Sequence, residues 1–277
     1  MLNRKLQPEI VNAVDFDLTL KTCERFTLDN GVPVYSLNAG EQEVLMVEWV
    51  FYAGNWYEEK NIVAAITNFL LKNGTTNRSA FEINEHFDSW GAHLNRACYN
   101  ETATVTLHSL SKHLDKLLPV VASLFNESTM PQGELDIYRQ IQKQKLSVSL
   151  KKSEFVAGRV IDELLYGFEH PYGIYSSFED YDALTQQELL DFYKKFYTHG
   201  NCVIFVAGML PANIQSLLNQ HFGSLPFNTQ PLPQTDHVIK PATGRKKHIE
   251  HQRRPFHAGP RAVSHQHRPA IPQQAPS

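Results

Sequence analysis

Residues 26–35 read Phe-Thr-Leu-Asp-Asn-Gly-Val-Pro-Val-Tyr, and residues 44–52 read Val-Leu-Met-Val-Glu-Trp-Val-Phe-Tyr. In the first segment, Asn30-Gly31 stands between alternating apolar residues, which is a strong short-range signal for a β-hairpin. The second segment is an apolar run rich in residues that favour strands, and it predicts a buried strand. The folded part of the chain is therefore expected to begin with strands.

Helical periodicity follows these strands. Apolar residues recur at three- and four-residue spacings over residues 60–73, which predicts a largely buried helix that Gly74 closes. A second helix is expected from Ser79 to about Trp90, because Glu82 completes a capping box with Ser79. The remaining elements follow from similar patterns: a strand at 94–110, helices at 112–126, 133–150, 154–166 and 184–196, a strand at 201–208, and a helix at 211–222.

This order of elements predicts the fold class. Strands, then several helices, then one more strand indicate an α+β fold rather than a regular alternation of strand and helix. We expect a two-layer sandwich, in which helices pack on one face of a mostly antiparallel sheet. The predicted parts are an extended lead-in at residues 1–22, the folded unit at 23–228 and a basic tail at 229–277.

The tail differs in composition from the rest of the chain. Residues 240–277 carry eight Lys and Arg residues against the single acid Glu250, prolines are frequent, and apolar periodicity is absent. Such a segment buries too little apolar surface to offset its ordering entropy, so we predict disorder. A nucleic-acid- or metal-binding tail and an aberrant end produced by a reading-frame error are the alternatives.

Overall composition excludes several classes of function. The chain has 277 residues, 42% of them hydrophobic, and a net charge of −3, which by itself implies neither a nucleic-acid nor a membrane partner. Cys23, Cys98 and Cys202 are too far apart for a disulfide framework or a zinc knuckle, which favours a reducing, cytoplasmic setting. We see no secretory signal, and the apolar runs are shorter than the ~20 residues of a membrane-spanning helix.

Short motifs occur in a fixed order along the chain. They are Ala53-Gly54, Glu58-Glu59, Asn73-Gly74-Thr75-Thr76-Asn77-Arg78-Ser79-Ala80, Gly91-Ala92-His93-Leu94-Asn95, His170-Pro171-Tyr172-Gly173, Leu184-Thr185, Phe192-Tyr193-Lys194-Lys195-Phe196-Tyr197 and Val206-Ala207-Gly208. This series, over roughly residues 26–225, resembles the insulinase, pitrilysin and mitochondrial-processing-peptidase family of zinc peptidases. The resemblance implies the fold of one unit of these proteins, whose full-length members carry a second, similar unit.

The resemblance also implies where a zinc motif would lie. In that family the helix before the Gly-Thr segment carries His-x-x-Glu-His, whose two histidines bind one Zn²⁺ while the Glu acts as general base on the zinc-bound water. Counted back from the Gly-Thr pair without gaps, the motif falls on Ala65, Asn68 and Phe69. The third ligand, a Glu of a later helix, falls at about Lys145.

None of these four residues suits its role. Ala and Phe offer no lone pair, an amide is no base near neutral pH, and a lysine ammonium repels a cation. The resemblance therefore implies zinc for the family, whereas the substitutions predict no metal, no cofactor and no peptidase activity of this chain alone.

One further family feature is retained. The segment Leu94-Asn95-Arg96-Ala97 matches the edge strand on which family members bind their substrate as an added β-strand, through main-chain hydrogen bonds. Arg96 departs from the small residue expected there. An ordinary edge strand that carries a charge against aggregation is the alternative.

Three functions remain open. The first is a non-catalytic homologue that supports peptide binding or proteolysis by a motif-bearing partner subunit. The second is an active metalloendopeptidase whose metal site lies around Glu82, Glu85, His86 and His93, since Glu82 and His86 are four residues apart on a helix. The third is a structural assembly subunit, as in the non-proteolytic core proteins of a respiratory complex.

Overall fold

The computed structural model describes residues 19–228 and 236–241, which contain one six-stranded sheet and a layer of helices. The strands are β1 (Glu24–Thr27), β2 (Pro33–Asn38), β3 (Val44–Phe51), β4 (His93–Cys98), β5 (Ala103–Leu110) and β6 (Cys202–Gly208). Their spatial order is β1-β2-β6-β3-β5-β4. Only β2 and β6 are parallel neighbours; the other neighbouring strands are antiparallel.

Eight α-helices occur in the described part of the chain. They are α1 (Val63–Leu70), α2 (Ala80–Ser89), α3 (Leu114–Asn126), α4 (Gln132–Ser149), α5 (Ser153–Tyr166), α6 (Phe178–Ala183), α7 (Gln186–Tyr193) and α8 (Ile214–Phe222). Helices α3 and α8 pack on central strand β3, where the ring of Trp49 lies 5.7 Å from that of Phe125 and 5.0 Å from that of Phe222. The predicted α+β fold with a mostly antiparallel sheet is confirmed. No helix among residues 19–228 or 236–241 is long and apolar enough to cross a membrane.

The predicted hairpin joins β1 to β2. Gly31 adopts a φ of +85°, which explains the requirement for glycine at this turn. The neighbouring Asn30 amide donates to the carbonyl oxygens of Phe222 and Leu225, both at 2.8 Å. The turn therefore also holds the end of α8 against the sheet.

The segment at 94–110 differs from the prediction of one strand. It forms two antiparallel strands, β4 and β5, joined by a turn in which the Tyr99 N–H donates to the Thr102 carbonyl at 2.7 Å. The turn residues Tyr99-Asn100-Glu101-Thr102 include neither Gly nor Pro, so the strong markers of a turn are absent from the sequence. The turn makes β4 the last strand in the order of the sheet.

Some helices also differ from the prediction. Helix α6 was not predicted; its six residues are too few for a periodic signal, although Ser177 and Asp180 form a capping box. Helix α7 ends at Tyr193, and a π-turn follows it from Lys194 to Thr198. Helix α8 begins at Ile214, three residues after the predicted Pro211.

Helices α4 and α5 bury little of their apolar surface. Helix α5 has no buried residue, and on α4 the side chains of Ile137, Ile141 and Val148 are 55%, 45% and 53% exposed. Large exposed apolar surface of this kind is typical of interaction sites.

The two predicted terminal segments lie mainly outside the described residues. These comprise residues 1–18 of the lead-in and residues 229–235 and 242–277 of the tail. Within the tail, residues 236–241 lie against the end of α5, where the Lys240 N–H donates to the Tyr166 carbonyl at 2.9 Å.

Candidate functional site

Helix α1 is the element on which the family motif would lie, and a carboxylate begins it. The Glu58 side chain accepts hydrogen bonds from the N–H groups of Ile62 at 3.1 Å and Ala64 at 2.9 Å. These N–H groups belong to the first turn and have no partner within the helix. Burial raises the pKa of Glu58 to about 7, and the two hydrogen bonds partly oppose this rise.

The three motif positions on α1 point to two different environments. Ala65 and Phe69, one turn apart, are exposed, whereas Asn68 is only 2% exposed. The Asn68 amide donates to the Thr104 carbonyl at 3.3 Å and to the Tyr197 hydroxyl at 3.1 Å. The residue at the position of the general base therefore fixes α1 to β5 and to the π-turn after α7.

The fourth motif position, Lys145, lies on α4 and is exposed. Tyr138 lies on the same helix and contacts α1, because its ring lies 4.4 Å from the ring of Phe69. Tyr138 was not singled out from the sequence, since one aromatic residue on an amphipathic helix carries no specific signal.

Arg96 of β4 completes this contact. Its guanidinium lies 4.8 Å from the centroid of the Phe69 ring, and Nη1 donates to the Phe69 carbonyl and, at 3.4 Å, to Asn73 Oδ1. Burial lowers the pKa of Arg96 to about 10, so the side chain remains cationic at neutral pH. Phe69, Tyr138 and Arg96, hereafter the Arg96 cluster, thus join α1, α4 and β4.

The Arg96 cluster does not fit a zinc ion. Its aromatic rings and guanidinium supply no ligand, and the fixed positive charge opposes a second cation in the same place. Across residues 19–228 and 236–241, no group of three or more His, Cys, Asp or Glu side chains could hold a metal ion.

The alternative metal site around α2 is also not assembled. Glu82 is held in the capping box, where its carboxylate accepts from the Ser79 N–H and hydroxyl, both at 2.8 Å. His86 Nε2 lies 2.9 Å from the Lys116 carbonyl oxygen, and His93 pairs with His108 across β4 and β5. The structure therefore does not bring Glu82, Glu85, His86 and His93 together.

Strand β4 lies at the end of the sheet order and is hydrogen-bonded only to β5. Its outer edge is unpaired within the described part of the chain. The side chain of Leu94 is buried and that of Asn95 is exposed, whereas Arg96 and Ala97 are half-buried. The edge position expected for these four residues is thus what the structure shows, and peptide binding there remains a prediction.

Comparison with known proteins identifies the class to which this α+β unit belongs. Residues 34–166 match the family described as Insulinase (Peptidase family M16), and residues 183–260 match Peptidase M16 inactive domain. The chain belongs to the insulinase family, peptidase family M16.

Individual relatives agree with this assignment. Mitochondrial-processing peptidase subunit alpha-1 of Dictyostelium discoideum is 23% identical over 224 residues, which cover 76% of this chain and 33% of that protein. An uncharacterized zinc protease of Rickettsia felis is 25% identical over 185 residues, covering 65% of this chain and 45% of that protein. The peptidase M16 inactive domain from Pseudomonas fluorescens has a TM-score of 0.70 and 23% identity, covering 80% of this chain and 54% of that chain. This chain therefore spans about a third to a half of the length of the two curated relatives.

Proposed function

We propose that this chain is a non-catalytic member of the insulinase family that supports peptide binding or proteolysis by a motif-bearing partner subunit. The observation that carries this proposal is the environment of the motif positions. Asn68 is a buried hydrogen-bonding residue, and Phe69 lies beneath the cationic Arg96 side chain. Phe69 offers no atom that binds zinc, and the Asn68 amide cannot act as the base that activates a zinc-bound water.

Peptide binding is supported by the free edge of β4. An extended peptide adds to such an edge through main-chain hydrogen bonds, and no catalytic residue is needed for that step. The edge also contacts α1 directly, through Arg96 and Phe69.

A partner subunit is supported by two separate observations. The Dictyostelium relative is named as one subunit of a peptidase. On α4, Ile137, Ile141 and Val148 leave an exposed apolar stripe of the kind that a second polypeptide covers.

Reconstitution tests this proposal directly. The purified chain is assayed for peptide cleavage alone and after addition of a motif-bearing family protein from the same organism. We expect no cleavage by this chain alone, and faster cleavage by the mixture than by the partner alone. As a control, a partner with its motif Glu replaced by Gln should leave the mixture inactive.

The other candidate functions predict different results. Cleavage by the purified chain alone, abolished by a chelator and restored by zinc, would establish an active metalloendopeptidase. A stable complex that cleaves no peptide in any combination would establish a structural assembly role. Either result contradicts the proposed support of proteolysis.

We also propose a reducing, cytoplasmic location. Cys23, Cys98 and Cys202 are all free thiols, as expected where disulfides do not persist. Fractionation of the source cells checks this, and recovery of the chain from an oxidising compartment would contradict it.

A further inference from the structure

The Arg96 guanidinium is a half-buried cation without a carboxylate partner. Its nitrogen atoms contact a carbonyl, an amide oxygen and the Phe69 ring, and none of the ion pairs among the described residues includes Arg96. The buried Nε atom has no hydrogen-bond partner at all. Buried charges are normally paired, because an unpaired one loses its hydration without compensation.

A second cation lies close to Arg96. Burial has the largest effect on the Lys72 ammonium and lowers its pKa. The Arg96 charge lowers this pKa further, and the Asp88 carboxylate raises it. Lys72 Nζ lies 5.7 Å from the centroid of the Phe87 ring and is also absent from the ion pairs of the described residues. Arg96 and Lys72 thus place two cations near this end of α1, where the Glu134 carboxylate accepts from the Asn73 amide at 2.7 Å and not from either cation.

Strand register determines which part of an added peptide would meet this charge. Arg96 pairs with Val105 of β5, and Val105 pairs with Trp49 of β3, so these residues form one row across three strands. A strand added at the free edge of β4 extends that row. The peptide residue opposite Arg96 then lies on the same face, with Cβ atoms roughly 5 Å apart.

The neighbouring rows of the sheet differ from this one. Asn95 and Ala97 pair with Thr106 and Thr104 and leave the sheet on the opposite face, and none of these four side chains carries a charge. Among the rows of Asn95, Arg96 and Ala97, charge selection is therefore confined to the position opposite Arg96.

We propose that the peptide bound along β4 carries Asp or Glu at the position opposite Arg96, and that its carboxylate pairs with the Arg96 guanidinium. This inference rests on the proposed peptide binding and adds the chemical class of the ligand. A carboxylate there forms a charge-assisted pair with the partly exposed Arg96 guanidinium, and it compensates the burial of a charge that otherwise has no partner. A lysine at the same peptide position would face the two cations and be rejected.

Three otherwise identical extended peptides test the inference. They carry Glu, Gln or Lys at one central position, and their binding to the full chain is measured by titration calorimetry. We expect the Glu peptide to bind roughly tenfold or more tightly than the Gln peptide, the range for a charge-assisted hydrogen bond. The Lys peptide is expected to bind most weakly.

Variants of the chain assign the preference to one residue. Arg96→Gln is expected to abolish the difference between the Glu and Gln peptides, and Arg96→Lys to retain part of it. Arg159→Gln is the matched control, because Arg159 of α5 also lies over an aromatic ring, 4.8 Å from that of Tyr175. It should leave the preference unchanged.

The possible failures are distinguishable. Binding of all three peptides with equal affinity overturns the acidic preference and leaves the proposed peptide binding intact. A Glu preference that persists in Arg96→Gln, in a folded variant, also overturns the assignment to Arg96. If no peptide binds the wild-type chain, both the proposed peptide binding and this inference are wrong.

Discussion

Asn68 donates a hydrogen bond to the hydroxyl of Tyr197 at 3.1 Å, and both side chains are buried. The count back from Gly74-Thr75 predicts the general base of the family's zinc motif at Asn68, and in this structure the Asn68 side chain serves packing. Burial also raises the pKa of Tyr197 well above its ordinary value, so the hydroxyl stays neutral and accepts the hydrogen bond from the amide. The hydrogen bond between Asn68 and Tyr197 holds α1 to the π-turn after α7, and neither side chain needs to be charged for this.

Replacing Asn68 by Glu is expected to destabilise the fold. The change puts a carboxylate into a buried site in which the Thr104 carbonyl needs a donor. We expect the free energy of unfolding to fall by roughly 3 kcal/mol, measured by denaturant titration. Ala65→Glu, at an exposed position of the same helix, should change it by less than about 0.5 kcal/mol. Equal losses in the two variants would contradict the packing role of Asn68.

Restoring the family ligands should not by itself restore a tight zinc site. In a triple variant with Ala65→His, Phe69→His and Lys145→Glu, the Arg96 charge remains beside the new ligands. Adding Arg96→Ala is expected to strengthen zinc binding roughly tenfold or more. The guanidinium lies 4.8 Å from the ring of Phe69, so its charge repels a divalent cation bound at position 69. The dissociation constants are measured by competition with a chelating dye. Adding Arg159→Ala instead should have no effect, and the same affinity with and without Arg96 would contradict this reasoning.

Glu58 makes stability depend on pH. Its pKa is 4.5 without the protein environment and about 7 in the folded chain, because burial disfavours the charged form. Between pH 4.5 and about 7, the Glu58 carboxyl group loses its proton in the unfolded chain and keeps it in the folded chain. The free energy of unfolding should therefore fall as pH rises from about 4.5 to about 7, by at most about 3 kcal/mol.

Glu58→Gln should flatten that decline, as measured by thermal or denaturant unfolding across the same pH range. Glu59→Gln is the matched control, since the Glu59 side chain is 91% exposed. It should leave the pH profile as in the wild type. A wild-type slope retained in Glu58→Gln would show that another group causes the dependence.

Tyr193 joins α7 to the last turn of α3 and to the loop that follows it. Its hydroxyl donates to the Leu124 carbonyl and accepts from the Ser128 N–H, each at 3.0 Å. Tyr193→Phe leaves the buried Ser128 N–H without this partner, so we expect a loss of roughly 1–3 kcal/mol in the free energy of unfolding. Tyr99→Phe, at a position that is 59% exposed, is the control and should be nearly neutral. An unchanged stability of Tyr193→Phe would contradict the inferred contribution of these two bonds.

Local signals predicted much of the fold because they act within a few residues. The Asn30-Gly31 turn and the Ser79–Glu82 capping box are determined by adjacent side chains and occur as expected. Helix α6 escaped prediction because a helix of six residues shows no period. The turn at residues 99–102 escaped prediction because it contains neither Gly nor Pro.

The candidate site was only partly predictable, because several of its contacts join residues that lie far apart in the sequence. The substituted motif positions and the segment at 94–97 followed from the order of short motifs. The contact of Arg96 with Phe69 joins residues 27 positions apart, and Tyr138 reaches Phe69 from a third element. No sequence period encodes such contacts, so the cluster became visible only once α1, α4 and β4 were placed.

Zinc content of the purified full chain tests the central claim most directly. The protein is equilibrated with excess zinc, separated from free metal and analysed by elemental mass spectrometry alongside a motif-bearing family member. We expect the relative to retain one zinc per chain and this chain to retain only substoichiometric metal, with no effect of a chelator on its stability. One tightly held zinc per chain, whose removal abolishes peptide cleavage by the chain alone, would contradict the account.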